Sequence, residues 1–340
     1  MQRPAKPSTP VRFRLPPPVS NSSTAPSPSL ENPLRPYGGG WQAKLNFSVD
    51  VRSYGSSTRS TLSNSEHIGP LRLQKPLWPE GPHPVHLLLL HPPGGLAGGD
   101  QLQLRAKIEP VAQCLVTTPG AGKFYMADVP SEFHVRLDVE EAGLEWLPQE
   151  TILQDGAQAR STFEFNLSQH ARVIASEILV LGRRDFGESF SRGEFKQRIS
   201  IRRDGKLIFN DSNLWRPAFL DHSVSMAKHH VSALFWAARH EAWHEDEVAS
   251  LELFLDSVIQ AKQIKNTLEK SLESGIEKTP ENTPANHLFC GVSQVVPGLL
   301  LIRAIGSSVE AIRYLTHQAW AHLRPQIFER QASLPRIWNT

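Results

Sequence analysis

His240, Glu241 and His244 are spaced as His-Glu-x-x-His, here HEAWH, the pattern of zinc proteases. Four residues apart on a helix, the two imidazoles share a face and can hold one zinc ion. The glutamate then acts as general base on the metal-bound water. Glu252 is the candidate third ligand of this zinc-hydrolase reading. The competing reading is an exposed polar patch, which is plausible in a chain with 14 histidines. A different set of acids, Asp100, Glu150, Asp155 and Glu188, stands beside glycine-rich turns. Carboxylates and imidazoles suit borderline divalent metals such as nickel and zinc. TPGAGK at residues 118–123 invites a phosphate-loop reading, but that motif needs Gly, four residues, then Gly-Lys-Ser/Thr. Thr117 stands five before Gly122 and Phe124 follows Lys123, so both ends fail. Of the two cysteines, Cys114 alternates within a strand pattern as a core residue does, and Cys290 is a lone thiol. No Ser/His/Asp order defines a triad, since triads are spatial.

The elements that must position these groups are mostly strands. LLLLHPPGGLAGGD at residues 87–100 reads as a buried strand stopped by Pro92 and Pro93, a glycine-rich turn, and an acid that restarts an alternating run. In that run Leu102, Leu104, Ala106 and Ile108 share one face. Alternation also marks residues 42–52, 113–118, 133–139, 145–147, 163–167 and 173–181 as strands, while residues 53–64 read as polar. Residues 195–208 end in an Arg-Asp-Gly hairpin turn at 203–205. This run of strands predicts a mainly β fold of antiparallel or mixed strands, without an internal repeat. Helices are predicted at about 224–272 and at 307–323, the second halted by Pro325. A polar loop is expected over 271–286, and an apolar strand over 290–302. Residues 1–38 are rich in Pro and Ser with Glu31 the one acid, which predicts a disordered arm ahead of one β-rich domain over 39–340.

Composition removes several classes of function. A net charge of +2 over 340 residues exerts no strong pull on nucleic acid or on an anionic membrane. The longest apolar runs are far shorter than the roughly 20 residues a helix needs to cross a bilayer. Two cysteines are too few for a disulfide framework, and a cytoplasmic thiol state is the simpler expectation.

Several words, taken together and in order, resemble the UreD (UreH) family of urease accessory proteins. They are HPPGGLAGGD at 91–100, TTPGAGKFY at 117–125, EWLPQETI at 145–152, LGR at 181–183, GESFSRGE at 187–194 and the terminal PRIWNT at 335–340. WQAKLNF at 41–47 and GPLRLQKP at 69–76 fit the same family. The arm, residues 223–244 and residues 271–286 match no word of it, so the HEAWH motif lies outside the resemblance. The resemblance implies a metallochaperone subunit and not an enzyme, mainly β with a few C-terminal helices. It implies association with UreF-like and UreG-like proteins, the second a GTPase, on apo-urease. Nickel would be transient cargo passing through the subunit, with no permanently bound cofactor. Asp100, Glu150 and Glu188 lie in matched words and are the residues expected along the nickel path. The C-terminal helices and residues 290–302 are the expected docking surfaces for the UreF-like partner.

Overall fold

A computed structural model describes residues 39–274 and 288–339. The expected arm at 1–38 and most of the expected loop at 271–286 lie outside the described residues.

The chain opens with an antiparallel hairpin, β1 (Gln42–Tyr54) and β2 (Ser57–Ile68). β2 is a strand that its polar sequence hid: it lies at a sheet edge, where Ser57, Thr58 and Ser65 are exposed while Ser60 and Thr61 are buried, Ser60 bonded to His83 and the Gln113 amide. After the two-residue β3 (Arg72–Leu73) the path alternates between two facing sheets. β4 (Val85–Leu90) lies in the second sheet and β5 (Gln101–Ile108) in the first. β6 (Gln113–Thr117) and β7 (Gly122–Phe124) return to the second, and β8 (Ser131–Val139) to the first. β9 (Gly143–Trp146) and β10 (Thr151–Leu153) are followed in the same way by β11 (Gln158–Leu167), and β12 (Arg172–Leu181) by β13 (Glu194–Arg203). Each crossing starts at the same end of the molecule, so like strands run parallel: β1, β5, β8, β11 and β13 in the first sheet, and β4, β6, β9 and β12 in the second. A parallel pair needs a long crossover, usually a helix. Here the strand in the opposite sheet is the crossover. The sheets are mixed, and the antiparallel ladders lie toward their margins.

The remaining elements close this coil. β13 turns into β14 (Lys206–Trp215) through Asp204 and Gly205, both with positive φ, as expected for the Arg-Asp-Gly turn. The short α1 (Pro217–Leu220) leads to β15 (Val231–Ala238), which pairs antiparallel with β12. The helix expected from residue 224 is therefore corrected: α2 spans Glu245–Ser274 and the preceding VSALFWAA is a strand. Alanines favour helix, but this segment lies between β12 and β17 with nearly every side chain buried, and that placement overrides propensity. The single strand expected over 290–302 is a hairpin, β16 (Phe289–Val296) and β17 (Leu299–Gly306), reversed at Pro297-Gly298. α3 spans Val309–Phe328, capped by the Ser308 hydroxyl accepting from the Ala311 amide. Pro325 lies inside its last turns rather than halting it, and the helix ends at Glu329 in the left-handed conformation.

Burial records three layers. First-sheet strands alternate inward and outward, as β5 does with Leu102, Leu104, Ala106 and Ile108 buried. The inner strands of the second sheet, such as β12 and β15, are buried on both faces, since α3 covers the side turned away from the first sheet, whereas the edge strand β16 alternates between exposed and half-buried. One apolar core lies between the sheets and another between the second sheet and the helices.

Candidate functional site

The inter-sheet core is not completely filled. A cavity of about 290 Å³ lies between the sheets, walled by Leu102, Phe133 and Phe163 on one side and by Leu89 and Trp146 on the other. A second cavity of about 430 Å³ follows toward β14, β16 and β17, and includes Asp211, Trp215, Cys290 and Arg303 in its lining. Glu177 and Gln197 line both.

Local sequence opens the second sheet at this place. Residues 118–121 separate β6 from β7, and residues 147–150 separate β9 from β10. β12 pairs with β9 through Ala175 and with β10 from Leu179, so residues 176–178 have no ladder partner on that side. Proline and glycine in TPGAG and LPQE cannot sustain a regular ladder there. Glu177 lies in this gap and faces the interior. Its Oε1 accepts from the Trp146 Nε1–H at 2.9 Å. Burial pushes its carboxyl up to about 8, which that one hydrogen bond does not offset. At neutral pH the group is therefore largely protonated. Among the described residues, the Ser161 hydroxyl, buried in the facing wall, and the Trp215 indole N–H beside the second cavity have no hydrogen-bond partner. The wall of the first cavity is otherwise mainly apolar, with Ser161, Glu177 and Gln197 among the polar groups set into it. His91 stands at the first cavity, and burial holds its imidazole below the usual range despite the opposing charge of Asp100. The gap is closed from the helix side. The Trp338 Nε1–H donates to the Thr117 hydroxyl at 2.8 Å, and that hydroxyl donates to the Leu147 carbonyl at 2.6 Å. The Trp338 ring also stacks on His317 with centroids 4.4 Å apart.

The three acids singled out in the sequence are not brought together, and none lines either cavity. Asp100 is buried and fixes the glycine-rich turn: Oδ1 accepts from the Trp41 amide at 2.7 Å and Oδ2 from the Ala97 amide at 2.8 Å. The glycines beside it serve close packing. A Cβ on Gly40 would lie 2.0 Å from the Gly99 carbonyl oxygen, and one on Gly95 would lie 2.7 Å from the Tyr125 ring. Glu150 accepts from Arg313 of α3 through both oxygens at 2.7 Å. Glu188 accepts from the Arg183 guanidinium and from the Asp155 amide, and that arginine holds its carboxyl below the usual range. Asp155 is tied to Ser191 and Arg192. Each acid fastens one loop to a neighbour.

The zinc-hydrolase geometry is overturned. β15 ends at Ala238 and α2 starts at Glu245, so HEAWH occupies the non-helical link between them, bent at His240 and Glu241, and its histidines do not share a helix face. The reason is local: Trp243 is buried under the helix, and its backbone is held by the Gln294 amide group. Among the described residues no group of three or more His, Cys, Asp or Glu is placed to hold a metal ion, Glu252 included.

A family model described as UreD urease accessory protein matches residues 42–339. The chain belongs to the UreD family. Urease accessory protein UreD of Delftia acidovorans is 36% identical, over 88% of this chain and 95% of the relative. That of Janthinobacterium sp. is 37% identical, over 88% of this chain and 92% of the relative. The bacterial relatives are thus named as accessory proteins and not as enzymes. No described helix is long and apolar enough to cross a membrane. Within a UreD chain, TTPGAGKFY and EWLPQETI border the opening in the second sheet, and PRIWNT carries the tryptophan that covers it. Glu177 was missed in the sequence, although its signal is visible: one acid interrupts the apolar run RVIASEILVL. On the expected docking elements, Leu253 of α2, Tyr314 of α3, and Phe289 and Val295 of β16 are among the described side chains that are exposed.

Proposed function

We propose that this chain is a nickel-handling subunit in the maturation of urease, and that nickel passes between its two sheets past Glu177. The observation that carries the reading is the pair of cavities, each reaching the surface, that share Glu177 and Gln197 in a member of an accessory family. A protonated carboxyl must lose its proton to ligate a divalent ion, so the interaction is weak and reversible near neutral pH. That suits cargo in transit better than a closed thiolate cage would. The chain works in the cytoplasm with UreF-like and UreG-like proteins on apo-urease. Nucleotide hydrolysis belongs to the GTPase partner, in keeping with the failed phosphate-loop match here. Asp100, Glu150 and Glu188 enter the same reading as loop anchors along the path, Asp100 through the charge it sets beside His91.

The test is co-expression of urease structural and accessory genes with and without this chain, reading nickel-dependent urease activity and co-purification. Activity and association that both require the chain support the role. Under limiting nickel, Glu177→Ala lowers activation severalfold while the complex still assembles, and unchanged activation would remove Glu177 from the path. Joint replacement of Asp100, Glu150 and Glu188 by alanine tests the anchors in the same assay. Normal activation in that variant sinks their assignment.

A further inference from the structure

His240 does find a second histidine, though not the one its motif suggests. β12 and β15 pair antiparallel with Val173 opposite Ala238. His170 lies three residues before Val173 and His240 two after Ala238, so the register sets these two chain segments side by side. Their rings meet with centroids 4.4 Å apart and planes inclined at 50°. Both residues are exposed, and neither ring nitrogen has a hydrogen-bond partner among the described residues. Two imidazoles with free nitrogens, fixed at short range by the backbone, already meet the main requirement for chelation. Both rings are exposed, so a change of rotamer is the adjustment that placing one nitrogen from each on a common ion requires.

We propose that His170 and His240 form a surface site for a late first-row divalent ion. Imidazole pairs of this kind suit copper, nickel and zinc, with copper bound most tightly. With no third protein ligand among the described residues, water completes the coordination. The site is therefore an exchangeable one and not a structural centre. It is independent of the nickel passage, since neither histidine lines the interior cavities.

The test is titration of the full-length, tag-free chain, in complex with its partners where solubility requires it, with Cu²⁺ and with Zn²⁺. Calorimetry gives the affinity, and electron paramagnetic resonance of the Cu²⁺ form counts nitrogen donors. The expected result is a site with two imidazole nitrogens. His170→Ala or His240→Ala weakens it by about tenfold or more, since losing a ligand costs at least as much as losing the outer-shell support of one. His244→Ala leaves it unchanged. Binding that survives the His170→Ala/His240→Ala pair, or that falls equally with His244→Ala, would overturn the assignment.

Discussion

Glu177 is unusual among the acids of this chain in having one protein hydrogen bond and a buried setting. Its carboxyl is raised from 4.5 to about 8. The unfolded chain therefore releases this proton first as pH rises. Glu177 contributes its full stability below about pH 4.5, and that contribution is lost progressively toward pH 8. Glu177→Gln keeps the shape and the acceptor but does not titrate. Its stability relative to the parent should thus rise between pH 5 and pH 8, by on the order of a few kcal/mol. Denaturant midpoints at the two pH values measure this, and a gap independent of pH would refute the raised ionisation. The contrast with Asp100, Glu150 and Glu188 explains what the sequence conveyed at this scale. Acids next to glycines are conspicuous, but adjacency to a turn selects residues that bind backbone amides and arginines. Whether a carboxylate faces a cavity depends on strand register and on a gap between β9 and β10, neither of which is local.

α3 is attached to the second sheet by a buried ionic cluster. Arg324, fully buried, donates to both oxygens of Glu145 on β9 and to both of Glu80, and Trp320 adds a bond to Glu145 at 2.6 Å. His86 meets Glu80 at 2.8 Å. Burial alone would raise the Glu80 carboxyl, but bonds from His86 and Arg324 outweigh it and hold the group at about 2. The stability Glu80 contributes is present above about pH 4.5 and is lost as pH falls toward 2. Arg324→Met leaves two buried carboxylates without their cation and should cost about 3–5 kcal/mol. Thermal melting reads the loss, and a variant that melts with the parent would show that the cluster does not hold the helix. Elements were legible where period and burial agree. The stripe of Ile312, Leu315, Ala319 and Leu323 is buried as its spacing requires, and the alternating β5 likewise. Agreement failed at β15, buried on both faces and so without a polar period, and at β2, whose outer position removes the apolar one.

The coil as a whole was not legible, because its turns differ in strand length and leave no sequence repeat. The sequence conveys the strand-rich class, but its expectation of antiparallel or mixed strands does not foresee that the central ladders of both sheets are parallel. Among the hydrophobic side chains left outside, Leu253 at 71% and Phe289 at 53% exposure stand on the helix and hairpin that close the fold. Isolated chains should therefore self-associate, and co-expression with a UreF-like partner should increase the soluble fraction. Size-exclusion chromatography of both preparations decides this: a monodisperse chain without partner counts against these surfaces as docking sites.

The layer order also fixes a sequence of events at the ribosome. The part of the second sheet's outer face that α3 covers, Ile174 and Ile178 of β12 with Phe235 of β15 and Ile302 of β17 among it, is made ahead of its cover, which comes from residues 309–328. During most of translation that face has no intramolecular lid. A nascent chain released early, or a product truncated ahead of Val309, lacks α3 and leaves the apolar surface that α3 covers on β12, β15 and β17 without its lid. Cells making this protein must therefore shield it until the last helix emerges, and premature stop variants should be recovered with chaperones or in aggregates rather than as smaller folded proteins.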